Sequence, residues 1–101
     1  MSPSIAKAEA VYAGTFDPVT NGHCDVIERA LNLFESLTVA VAKNPLKAPL
    51  LSLGERVELL QGASSSLENR SRLRIEGFDE LLVDYARRRG ARVIVRGLRA
   101  V

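Results

Sequence analysis

Residues 12–23 read YAGTFDPVTNGH, from Tyr12 to His23. They close the apolar run Ala10-Val11-Tyr12-Ala13 and then gather Gly14, Thr15, Asp17, Pro18, Asn21, Gly22 and His23. An ordinary turn needs two or three such residues. This one is long, carries Phe16 and Val19 within it, and ends in the only histidine of the chain. The surplus of polar and glycine residues marks a site as well as a turn.

Working outward, the rest of the chain supplies the frame. Glu9–Ala13 reads as a short buried strand, and Gly22–Ser36 carries Ile27, Ala30, Leu31 and Phe34 at helical spacing. Leu37–Ala42 is β-branched and strand-like, and Lys43–Leu51 is a loop punctuated by Pro45 and Pro49. Ser52 with Glu55 three residues on predicts a capping box, with Val57, Leu59, Leu60 and Ala63 as the apolar stripe of the helix it opens. That helix fades near Ser64-Ser65-Ser66. Arg70, Arg72 and Arg74 alternate with Ser71, Leu73 and Ile75, as expected of an edge strand with one charged face. Asp79–Arg89 is a third helix through Leu81, Leu82, Tyr85 and Ala86, and Arg92–Val95 is a fourth strand.

Strand and helix thus alternate along the chain, which predicts an α/β fold of the Rossmann-like, doubly wound type: a parallel sheet in the order 3-2-1-4. One domain is expected over residues 1–101. In that order the first and fourth strands are neighbours, and a crevice opens at their carboxyl ends. Gly14-Thr15 and Arg96-Gly97-Leu98-Arg99 therefore converge by topology.

Composition sets the limits. At 47% hydrophobic and 26% charged residues, the chain is ordinary folded protein, outside the disordered and collagen-like ranges. No window approaches the roughly 18 apolar residues of a membrane span, and Met1-Ser-Pro-Ser-Ile lacks a secretory pattern. One cysteine, Cys24, allows no internal disulfide, so a cytoplasmic location is expected, with the thiol acting as a small hydrophobe on a helix. A net charge of +2 suits anionic ligands without arguing for nucleic acid. Arg87-Arg88-Arg89 would fan around a helix axis just before Gly90 and reads as a solvated helix end.

The loop chemistry points to an anion. Gly14 allows close backbone approach, Thr15 offers an amide and a hydroxyl, and Gly22-His23 opens a helix whose free amides favour phosphate. His23 can donate a hydrogen bond to the same anion, and Thr20 or Asn21 can cap the helix. The glycine spacing fits neither the dinucleotide fingerprint nor the phosphate loop ending in Gly-Lys-Ser/Thr. No nucleophile elbow and no histidine cluster for zinc is present. Asp17 could assist a magnesium ion through water or brace the loop by binding backbone amides; its place beside Pro18 favours the brace.

GTFDPVTNGH, KNPLKAP and RGLRAV, in that order and at these separations, resemble the bacterial phosphopantetheine adenylyltransferases of the nucleotidylyltransferase superfamily, whose T/HxGH motif appears here as Thr20-Asn21-Gly22-His23. The resemblance runs from about Ala10 to Val101. It implies adenylyl transfer from ATP to 4′-phosphopantetheine, giving dephospho-coenzyme A and pyrophosphate, with Mg2+. It implies that His23 stabilises the transition state at the α-phosphate and that Thr15 contacts both substrates, with the Phe16 amide beside it. Lys47 and Arg96 would hold the acceptor phosphate, Leu82 would meet the pantetheine arm, and Gly97, Leu98 and Arg99 would line the ATP side. No metal ligand among the protein's own residues is implied.

The family continues beyond Arg99-Ala100-Val101 with an acidic helical segment and a serine-rich motif that closes on ATP. The C-terminal part of the fold is therefore expected to be missing from this chain, along with part of the ATP site and contacts of the family's hexamer. The stretch between Ser66 and Gly77 is also slightly longer than in the family. Alternatives are another nucleotidylyltransferase with a different acceptor, or a non-catalytic, phosphate-binding assembly fragment.

Overall fold

A computed structural model describes residues 8–45 and 47–96. In chain order they form β1 (Glu9–Gly14), α1 (Asn21–Leu33), β2 (Ser36–Ala42), α2 (Leu53–Ser64), β3 (Leu73–Phe78), α3 (Leu82–Arg89) and β4 (Val93–Val95), with one 3-10 turn over Arg70–Arg72. The four strands pair in parallel in the order β3-β2-β1-β4. This is the doubly wound arrangement that the alternation of elements predicts. β1 is central, so Gly14 emerges at the carboxyl edge with strands on both sides.

Strand alternation distributes the core between two faces. Ala10 and Tyr12 of β1 and Leu37, Val39 and Val41 of β2 meet Ile27, Ala30 and Leu31 of α1 and Leu60 of α2. Val11 and Ala40 point the other way and meet Tyr85 of α3. Both faces of β1 and β2 are covered, which is why these strands read as continuous apolar runs.

Local chemistry starts and stops the helices where the sequence signals lie. The Ser52 hydroxyl accepts from the Glu55 amide at 3.1 Å, and a Glu55 carboxylate oxygen accepts from the Ser52 amide at 3.0 Å. That backbone hydrogen bond, helped by the Ser52 side chain, holds the Glu55 carboxyl below its usual range. Gly90 ends α3 at φ +75°, the left-handed conformation in which glycine is favoured.

Several expectations are corrected. α1 ends at Leu33, because Phe34 is already extended (φ −118°, ψ 157°) and its amide closes the last turn onto the Ala30 carbonyl. α3 begins at Leu82, not Asp79, leaving Leu81 as an N-cap that is 75% exposed. On α2 the inward side carries Leu53, Val57 and Leu60 together with fully buried Arg56 and Ser64; Leu59 and Ala63 face outward.

Arg70 and Arg72 do not belong to the third strand. They lie in the 3-10 turn before it, so the charged alternation is not a strand face, although β3 is an edge strand. Arg70 turns back to the Leu73 carbonyl. The Arg72 guanidinium donates to the carbonyls of Leu31, Phe34 and Glu35 at 2.6, 3.0 and 3.2 Å. It thereby serves the carboxyl end of α1, which has no basic residue in its own last turn.

Arg89 is likewise not part of a solvated helix end. Only 20% of its side chain is exposed, and it lies 3.4 Å from a Glu76 carboxylate and 3.7 Å from that of Glu9. Arg88 is exposed, pairs with Glu80 at 2.8 Å and lies over the Tyr85 ring. Among the described residues no helix is long and apolar enough to cross a membrane.

Candidate functional site

The site grows from the turn that follows β1. Thr20 caps α1: its hydroxyl accepts from the His23 amide at 3.2 Å, and its own amide donates to His23 Nδ1 at 2.9 Å. This is a capping box in which histidine fills the place usually taken by glutamate. Since Nδ1 accepts an amide hydrogen, the neutral imidazole carries its proton on Nε2, a tautomer assigned from the hydrogen bond. The sequence alone leaves the choice between Thr20 and Asn21 open; the structure makes Thr20 the cap.

The ring of His23 is held by packing as well. Phe16 meets it edge-on with ring centroids 4.8 Å apart, and Tyr12 stands edge-on to Phe16 at 5.3 Å. Phe16 is buried and has φ +52°, a left-handed conformation unusual for an aromatic residue. Gly14 permits the fold-back, since a Cβ there would lie 3.2 Å from the Phe16 ring. Strained backbone is thus stored at the head of the central strand, where function commonly places it.

Opposite this turn lies the proline loop. Thr15, Asp17, Pro45, Lys47, Ala48 and Pro49 line one open cavity of about 570 Å³, within the size range of small-molecule sites. Thr15 and Lys47, far apart in sequence, are therefore brought to one place. Asp17 does the bracing: its carboxylate oxygens accept from the Leu50 amide at 2.5 Å and the Leu51 amide at 2.8 Å.

The other expected residues lie elsewhere. Arg96 follows β4 beside α1, in a separate groove with Val26, Ala30, Phe34 and Val95. Leu82 opens α3 and packs half-buried against Val11, Ala40 and Tyr85. Gly97, Leu98 and Arg99 lie outside the described residues. Cys24 is half-buried on α1, and burial pushes its thiol up, away from the reactive thiolate.

Arg56 is a site-supporting residue that the sequence pattern conceals. Only 1% exposed, it donates from Nε to the Leu51 carbonyl at 3.2 Å, and from one terminal nitrogen to the carbonyls of Thr15 and Ala42 at 3.0 and 2.9 Å. A charge on the apolar stripe between Leu53, Val57 and Leu60 is the signal that could have revealed it.

Among the described residues no three His, Cys, Asp or Glu side chains gather to hold a metal. Asp17 is the one carboxylate lining the cavity, and both its oxygens are engaged by amides. The donor set does not fit a protein-held Mg2+.

The chain matches the cytidylyltransferase-like family over residues 11–101 and belongs to it. It is 50% identical over 92 residues to a phosphopantetheine adenylyltransferase of Helicobacter hepaticus, which covers 91% of this chain and 54% of that one. It is 53% identical over 92 residues to the phosphopantetheine adenylyltransferase of Heliobacterium modesticaldum, covering 91% and 53%. The chain thus spans about half the length of these curated relatives. Among solved structures, a Plasmodium falciparum nicotinic acid mononucleotide adenylyltransferase complexed with NaAD superposes with a TM-score of 0.62 at 19% identity, over 73% of this chain and 38% of that one. A bifunctional NMN adenylyltransferase/ADP ribose pyrophosphatase from Francisella tularensis gives 0.61 at 17% identity, over 83% and 25%. At these identities the two structures speak for the fold.

Proposed function

We propose that this chain carries the acceptor site and the adenylyl-transfer histidine of a phosphopantetheine adenylyltransferase, acting in coenzyme A biosynthesis in the cytoplasm. The observation that carries the reading is the shared cavity: a threonine at the head of the central strand and a lysine from the proline loop line the same space, and the turn that begins at that threonine leads into the helix start that bears histidine. The naming of the relatives at about half identity supports the same substrates.

In this reading Lys47 holds the phosphate of 4′-phosphopantetheine as a compact cation. That phosphate already offers an anionic oxygen, so no general base is needed. The oxygen attacks the α-phosphorus of ATP, the bond from the α-phosphorus to the bridging oxygen breaks, and pyrophosphate leaves with that oxygen. His23 donates its Nε2 hydrogen to a non-bridging α-phosphate oxygen as charge builds there, and Thr15 and the Phe16 amide orient the two substrates. Mg2+ belongs to the reading as the counter-ion of the ATP phosphates. Arg96, Leu82, Gly97, Leu98 and Arg99, together with a hexameric assembly, are parts of the same proposal.

Calorimetric titration of 4′-phosphopantetheine into the chain tests it. One-site binding that weakens about ten-fold or more in Lys47→Ala is expected, the loss of one charged contact to phosphate. Equal affinity of wild type and variant would remove Lys47 from the acceptor site, and selective binding of nicotinate mononucleotide instead would move the chain to another acceptor.

A further inference from the structure

A guanidinium buried to 1% exposure is costly unless its hydrogens are met, and Arg56 has no carboxylate partner among the described residues. Its three bonds go to backbone carbonyls, and the choice of carbonyls is informative. Thr15 follows β1 and opens the turn; Ala42 ends β2 just before the proline loop; Leu51 ends that loop. One side chain therefore holds the threonine turn and both ends of the segment that carries Lys47.

The bond to Thr15 has a directional consequence. In a planar trans peptide the carbonyl and the following amide point in opposite directions. With the Thr15 oxygen drawn onto Arg56, the Phe16 amide of the same peptide unit must point away from the buried guanidinium. Phe16 keeps its left-handed φ of +52° within that arrangement. Asp17 secures the loop from the other side: Leu51 gives its amide to Asp17 and its carbonyl to Arg56, so both of its backbone groups are fixed.

We propose that Arg56, with Asp17, is a positioning clamp that aims the Phe16 amide and sets the Lys47 loop against Thr15. The role rests on the adenylyltransferase reading for its consequence, and on hydrogen bonds alone for its existence.

Arg56→Lys keeps the charge and loses the fork, so it separates geometry from electrostatics. In the folded 101-residue chain, amide exchange through the middle of β2 and α1 should match wild type, while the Phe16 and Leu51 amides shift in the NMR spectrum and Leu51 exchanges about ten-fold faster. Affinity for 4′-phosphopantetheine should fall about ten-fold in an otherwise wild-type chain and hardly at all in a Lys47→Ala background, because a positioning residue acts through the residue it positions. Unmoved Phe16 and Leu51 amides in a folded variant overturn the clamp, and equal losses in the two backgrounds overturn its action through Lys47. Should Arg56→Lys fail to fold, Asp17→Asn loosens the same Leu51 anchor from the exposed side and must give the same amide changes and the same non-additivity, or the clamp fails. If wild type takes up no 4′-phosphopantetheine, the functional reading falls by itself and the amide shifts decide the clamp.

Discussion

On one face of the sheet, α1 and α2 press Ile27, Leu31 and Leu60 onto Tyr12, Val39 and Val41. On the other, α3 contributes little apolar burial beyond Tyr85 and Ala86 and is tied down by polar groups. The Tyr85 hydroxyl donates to Glu76, Arg89 lies between Glu76 and Glu9, and the Thr38 hydroxyl donates to Glu9 at 3.3 Å. Apolar burial is strong and indifferent to direction. Hydrogen-bonded networks add less net stability but fix which residue stands opposite which. The difference teaches that the first face sets how stable the fold is, and the second where α3 sits on it.

The comparison can be broken first on the apolar side. Leu31→Ala leaves a cavity at a fully buried position and should cost about 2–5 kcal/mol in denaturant unfolding; a cost below that of any polar-face change would invert the ranking. Next is Arg72→Ala, which strips three carbonyls near the end of α1 of their donor and should cost about 1–3 kcal/mol.

On the polar face, Tyr85→Phe should cost about 1 kcal/mol near neutral pH and should also change the pH profile. Burial first, and then the Glu76 carboxylate, raise the Tyr85 hydroxyl far above the usual phenol range. An unfolded tyrosine ionises near 10. Stability from this group is therefore whole below about pH 10 and falls as pH rises further, because the unfolded chain releases the proton while the folded one keeps it. Tyr85→Phe should flatten that part of the alkaline decline; an unchanged decline would mean that Tyr85 is as exposed as any surface phenol. Smallest of all, Asp25→Ala breaks an exposed pair with Arg29 and should leave the unfolding free energy within about 0.5 kcal/mol of wild type.

Most of the fold was legible because its signals are local. The β-branched run of β2, the Ser52–Glu55 box and Gly90 at the end of α3 each declare themselves within a few residues; the alternation of elements then implies a parallel sheet, and its strand order is the commonest doubly wound one. The turn that carries Thr15 and leads into the helix start at Thr20 and His23 was legible for the same reason. The arginines were not. Arg56, Arg72 and Arg89 were absent from the expected site or assigned to solvent, since a charge in a local pattern reads as a surface residue. Their partners are backbone carbonyls or carboxylates that lie from 5 to 80 residues away along the chain. Arg96 shows the opposite limit: topology brings its strand beside β1, yet its side chain lies beside α1 in a groove apart from Lys47.

The Arg72 bridge also makes the end of the first helix depend on a distant part of the chain. Its bond to the Leu31 carbonyl spans 41 residues, a loop that must close before the bond can form. α1 carries its own Thr20 cap at its amino end, whereas carbonyls at its carboxyl end take their donor from Arg72, beyond β2 and α2 in the chain. The end of the first helix is thus completed by a residue far along the chain, and non-local pairing of this kind slows folding relative to a helical domain of equal length.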